Sequence, residues 1–229
     1  FVSSRIGGSG GLTKTGLGTL VLNNTGNSYY GQTWIKEGVL AVTYLAGQET
    51  NSSLGSAYDA PSVIKIGDGS TGATLRYTGS GLSDTNRAID LAGTTGGATL
   101  DITGLGSVNF TGPITASGAG SKTLTLTGNN SFTTSTISGA IADNSASNKT
   151  SVLKTGFGTW TLSGSNTYTG GTTINNGTLK LAGGSTTALA GGNVTVNATG
   201  SPSATLDLNG TNQSIGALTF GGAGASSFA

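Results

Sequence analysis

The chain has 229 residues, 42 of them glycine, with no cysteine, histidine or methionine, and its 10 basic and 9 acidic side chains leave a net charge of +1. Without histidine or cysteine it can assemble no Ser-His-Asp triad, no Cys-His dyad and no imidazole or thiolate metal site. Its few, scattered lysines and arginines make no basic stripe for nucleic acid, and no apolar run approaches the roughly 20 residues of a membrane helix.

Residues 1–11 are polar and glycine-rich and read as an unpaired lead-in. They lack a basic segment followed by an apolar one, so no signal peptide is expected, and the chain reads as a fragment of a longer one. Residues 12–42 then spell LTKTGLGTLVLNNTGNSYYGQTWIKEGVLAV. Apolar residues alternate at Leu20 and Leu22 and at Leu40 and Val42, the period-2 signature of a strand with one buried face. Gly16, Gly18 and Gly38 punctuate the phrase where the backbone must turn. The unit predicts strand, turn, strand, turn, with no room for a helix.

Residues 48–60 are a polar connection, with Pro61 marking its end. Weaker beats follow at Val63–Ile66, Thr74–Tyr77, Ala88–Leu91, Thr99–Ile102, Ser107–Phe110 and Thr123–Leu126. A polar stretch at 142–151 precedes VLKTGFGTWTLSGSNTYTGGTTINNGTLKL at 152–181. Lys14, Thr15, Gly16, Gly18, Thr19 and Leu22 recur there as Lys154, Thr155, Gly156, Gly158, Thr159 and Leu162. Asn27, Tyr29, Gly31, Thr33, Ile35, Gly38 and Leu40 recur as Asn166, Tyr168, Gly170, Thr172, Ile174, Gly177 and Leu179. Further beats lie at Val194–Val196, Thr205–Leu208 and Ala217–Phe220. Arg76, Asp101, Lys180 and Asp207 each fall between two apolar residues, which predicts a dry inner face and a wet outer one.

Internal repetition at beats of about 10 and 20–25 residues favours a β-solenoid over a sandwich or barrel. The expected architecture is a single elongated all-β domain over 1–229. Strong repeats sit at 12–42 and 152–181, with degenerate rungs at 63–141 and 188–220. About 9–11 rungs at roughly 4.8 Å each would make a rod of about 45–55 Å.

The phrases Leu-x-Lys-x-Gly-x-Gly-Thr-Leu-x-Leu and Asn-Thr-Tyr-x-Gly-x-Thr-x-Ile-x-x-Gly-x-Leu closely resemble the passenger-associated repeat of bacterial autotransporters. The copy at 152–181 matches almost throughout, while the copy at 12–42 departs at Tyr30, Trp34 and Val39. The resemblance implies a right-handed parallel β-helix, an extracellular or cell-surface location, and a role in adhesion or as a stalk.

Chemistry has few carriers here. The carboxylates are Glu37, Glu49, Asp59, Asp68, Asp84, Asp90, Asp101, Asp143 and Asp207. Paired on one face, two of them would suit a carbohydrate-cleaving β-helix; read singly, they are solvated outward charges. Asp90 and Asp101 are expected half a rung apart. Gly67–Gly72 reads as a turn rather than a calcium loop, so no metal and no cofactor is expected. Trp160 stands on the inward beat and belongs in the core. Trp34 and Tyr30 stand on outward beats and are the candidate contacts for a glycan ring or a partner. The leading expectation is a non-enzymatic extracellular rod or adhesin-type segment. Its partners would be a host or neighbouring-cell surface, a glycan, or another copy end to end. A self-assembling surface filament and a carbohydrate-active β-helix are the alternatives.

Overall fold

The computed structural model describes residues 1–58, 63–129, 131, 133–182, 186–197, 203–222 and 226–228. Its strands are two to seven residues long, no helix occurs among the described residues, and every strand pairing is parallel. The chain coils through three faces in turn. The first face has five strands, from Leu12–Lys14 to Ile114–Thr115; the second has nine, from Thr19–Leu22 to Leu218–Gly221; the third has seven, from Leu82–Thr85 to Ser226–Phe228. Gly7–Gly8 and Ser28–Tyr29 pair at the third-face position of the first turns.

Parallel in-register pairing places like on like. On the second face Leu20, Leu40, Leu75, Leu100, Leu126, Lys154, Ile174, Val196 and Phe220 form one continuous inward row. Each fully buried Leu or Ile in such a row contributes roughly 1.5–3 kcal/mol of transfer free energy. The row's eight steps make about eight turns, and at about 4.8 Å per turn the coil is roughly 40 Å long. This is shorter than 9–11 rungs, because residues 43–58 build a loop over the third face instead of a rung. That loop is held by Leu45 N–H to Ser83 Oγ (3.2 Å), Thr85 Oγ1 to Ala46 O (2.9 Å) and the buried Arg87 to Leu54 O (2.7 Å).

Both ends are more ordered than their composition suggests. Val2 pairs with Leu22 and Gly7–Gly8 with Ser28–Tyr29, so the lead-in is itself part of a turn. At the other end Ser226–Phe228 pairs with Ala204–Leu206. Asp59 and Pro61 lie outside the described residues.

The two strong repeats fold alike but on different faces. In the first copy Leu12–Lys14 and Thr33–Ile35 lie on the first face, and Thr19–Leu22 and Gly38–Val42 on the second. In the second copy the equivalent strands Thr150–Lys154 and Thr172–Ile174 lie on the second face, and Thr159–Leu162 and Gly177–Leu181 on the third. The first-face positions Leu12, Thr33, Ile64, Ile89, Ile114 and Ile141 count five turns, after which the second copy starts one face further on.

Candidate functional site around Tyr30 and Trp34

Within each repeat the lysine and its turn set the geometry. Lys154 is fully buried in the inward row between Leu126 and Ile174. Its ammonium donates to Thr155 O (2.7 Å), Gly156 O (2.8 Å) and Asn176 O (3.0 Å). Lys14 does the same with Thr15 O (2.9 Å), Gly16 O (2.6 Å) and Glu37 O (3.1 Å). A buried ammonium needs such acceptors, and the Lys-Thr-Gly turn presents two while the next turn presents the third. Gly38 and Gly177 close the arrangement at φ 68° and 65°. A Cβ at Gly177 would lie 2.4 Å from Gly156 O, and one at Gly38 would lie 2.5 Å from Gly16 O. Burial pushes the Lys154 ammonium down to about 7.

Asn27 and Asn166 tie three turns together. Asn27 accepts from Ile6 N–H (2.8 Å) and donates to Ser53 O (3.0 Å); Asn166 accepts from Ile141 N–H (2.8 Å) and donates to Ala188 O (2.8 Å). Next to each, a buried tyrosine hydroxyl meets the threonine four residues on: Tyr29 with Thr33 (2.9 Å) and Tyr168 with Thr172 (2.7 Å). Burial pushes the Tyr168 hydroxyl up to about 12. Lys14, Lys154 and the two asparagines stand at inward positions where an alternation rule expects apolar residues. Their signal in the sequence was the exact recurrence of Lys-Thr-Gly-x-Gly and of Asn two residues before Tyr.

The candidate contacts Tyr30 and Trp34 belong to the first copy alone. Tyr30 is 41 % exposed and lies beside the 64 % exposed Tyr58, their ring centroids 6.0 Å apart and tilted by 50°. Trp34 points outward from the first face but is half-buried. Lys36 Nζ stands 4.0 Å and Lys65 Nζ 5.4 Å from the centre of its ring, and its indole N–H donates to Gly67 O (3.0 Å). Lys36 in turn pairs with Asp68 at 3.1 Å. Asp68 and Thr71 hydrogen-bond each other's backbone, so the Gly67–Gly72 segment is a turn. Tyr30 and Tyr58 therefore offer open ring surface, whereas Trp34 is already engaged by two lysines.

Trp160 is core, as its inward beat requires. It is 1 % exposed, donates to Thr127 O (3.1 Å) and stacks on Phe110 with centroids 6.1 Å apart.

Among the described residues the carboxylates do not pair with one another. Asp90 lies on the first face and Asp101 on the second. Neither is a solvated outward charge, which corrects the alternation rule. Arg76 Nε covers Asp101 at 2.7 Å, leaving it 7 % exposed; Asp90 is 4 % exposed and accepts from the N–H (2.8 Å) and hydroxyl (2.6 Å) of Ser117. On a flat parallel face the residue one turn away can lie over an outward side chain, and at Asp90 and Asp101 it hides the charge. Asp143 accepts from Thr150 and Thr169 N–H groups, and Asp207 faces Lys180 at 3.7 Å. Among the described residues no group of three or more acidic side chains could hold a metal.

A family model described as the passenger-associated-transport-repeat matches residues 12–42, 119–140 and 152–181. These three segments are passenger-associated-transport repeats. The middle one covers the strands Lys122–Gly128 and Thr134–Ile137, which the alternation alone marked only as a degenerate rung. The chain is homologous to the adhesin BmaC autotransporter of Brucella suis biovar 1, at 37 % identity over 77 % of this chain and 5 % of that protein. It is also similar to two stretches of extracellular serine protease sequence from Serratia marcescens. One is 44 % identical over 31 % of this chain, the other 65 % over 17 %. The chain spans no more than 6 % of the length of any of these relatives. No solved structure matches it.

Proposed function

We propose that this passenger-repeat solenoid works at the bacterial cell surface as a non-enzymatic rod segment of an adhesin-type protein. The observation that carries the reading is the unbroken inward row from Leu20 to Phe220. Stacked turns bury one another's apolar face without disulfides, and such a coil resists bending because parallel in-register strands hydrogen-bond each turn to the next. Similarity to an autotransporter adhesin over most of the chain supports the surface setting. The open ring pair Tyr30 and Tyr58 is the proposed contact with a glycan or protein on a host or neighbouring cell.

The test joins shape to adhesion. Small-angle scattering of the purified chain should give a monomeric rod about 40 Å long. In the parent surface protein, Tyr30→Ala with Tyr58→Ala should lower cell adherence while surface display stays constant. A compact scattering profile would end the rod reading, and unchanged adherence would remove Tyr30 and Tyr58 from it. Polymer that grows with concentration would move the assignment to a self-assembling fibre.

A further inference from the structure

Between the second and third faces, two successive turns do not match in length. Val42 pairs with Tyr77, and Leu45 N–H reaches Ser83 Oγ. Between these two tie points one turn has only Thr43 and Tyr44, while the next has five residues, 78–82. The surplus forms a shelf, Thr78-Gly79-Ser80-Gly81, that overhangs the turn beneath. One turn further along, the shelf is supported. Gly104 and Gly106 pack so closely on Gly79 and Gly81 that a Cβ on either would lie 2.1 Å or less from a carbonyl oxygen. On the other side nothing matches its length, and an open cavity of about 500 Å³ remains, reaching down to Thr25 in the first turn.

We propose that this cavity is a binding site for a neutral pyranose ring, separate from the Tyr30 contact. Its lining carries no charged side chain. The framework around it is locked. The Tyr77 hydroxyl donates to Gly81 O (2.7 Å) and accepts from Ser83 (3.3 Å), Thr43 Oγ1 donates to Asn23 O (3.3 Å), and Thr78 Oγ1 donates to Val42 O (3.1 Å). Thr25, Tyr44 and Ser80 also line the cavity, and their side-chain hydroxyls make no hydrogen bond to another described residue. With them stands Leu82, 67 % exposed, an apolar side chain that the rest of the protein leaves largely uncovered. Three free hydroxyls that can each donate and accept, an aromatic ring and an aliphatic wall match a sugar, which has hydroxyls at its rim and C–H groups on its faces. The volume falls in the range of small-ligand pockets, about 300–1,000 Å³, and the preformed hydrogen bonds of the shelf spare the ordering cost of binding. An anionic sugar would find no cation, and a cationic ligand no carboxylate.

The experiment is ligand-observed NMR with titration on the intact chain. The neutral probes are methyl α-glucopyranoside, methyl β-galactopyranoside and N-acetylglucosamine; the charged probes are N-acetylneuraminic acid and glucose 6-phosphate. At least one neutral probe should bind with an affinity in the millimolar range, and the charged probes should bind at least about tenfold more weakly. Ser80→Trp, which fills the cavity from the shelf, should abolish binding. Tyr44→Ala should weaken it by about tenfold and Tyr44→Phe less. Circular dichroism should match the parent chain for all three. The proposal is overturned if no neutral probe binds, if the charged probes bind as well, or if binding survives both Ser80→Trp and Tyr44→Ala.

Discussion

The two strong repeats make the same local contacts in different settings, and the difference shows how the coil accommodates its own repetition. The copy at 12–42 lies at the start of the coil. Its lysine strand Leu12–Lys14 is the first on its face and has a neighbour on one side only, Thr33–Ile35. The copy at 152–181 lies inside the coil, rotated onward by one face, and its lysine strand has neighbours on both sides. Leu20 in the first copy is half-buried, and its counterpart Trp160 in the second is 1 % exposed and stacked on Phe110. The repeat thus encodes a corner and its two flanking strands, not a particular face. Any corner of a three-faced coil can hold it, because each presents the same two neighbouring turns.

Four sets of substitutions test that comparison, the largest effect first. Trp160→Ala should cost about 3–5 kcal/mol, while Leu20→Ala, half-buried near the end of the row, should cost clearly less. Chemical denaturation of the two variants measures the gap, and equal losses would break the distinction between end and interior.

Lys154→Met should change how stability depends on pH. Burial lowers the folded-state value to about 7, whereas an unfolded lysine titrates near 10.4. Between these values the unfolded chain binds the additional proton, so stability rises with pH across that window, by up to about 1.4 kcal/mol per unit, and the full penalty applies below pH 7. The Met variant should lose that slope and fit the row between Leu126 and Ile174. Denaturation midpoints from pH 6 to pH 10, with Lys14→Met as the reference at the end of the coil, check it.

Asn166→Ala and Asn27→Ala remove the same two bonds in the same geometry, and each should cost about 2 kcal/mol. Here the copies should agree, and unequal losses would show that the asparagine bridge depends on its place along the coil. The smallest effect belongs to Trp34→Thr, which gives the first copy the residue of the second. Losing the stack with Lys36 and the bond to Gly67 O should cost about 1 kcal/mol in thermal unfolding.

Local order was legible in the chain itself. Alternation at Leu20 and Leu22, Leu40 and Val42, and Leu179 and Leu181 marks strands with one buried face, because side chains of a strand alternate sides with period two. The recurrence of Lys-Thr-Gly-x-Gly marks a reused corner, and Trp160 on the inward beat was readable as core. Which residues meet across turns was not legible, because loops of unequal length set the register and composition does not specify how far a loop wanders. Hence only the folded coil shows that Lys154 enters an aliphatic row, that Asp101 disappears under Arg76, that the lead-in at Val2 and Gly7 joins the first turns, and that the second repeat sits one face on. The sequence determines the shape of one turn through backbone sterics and burial of alternate side chains; the tertiary structure decides what each turn stacks upon, because that depends on the summed length of everything between.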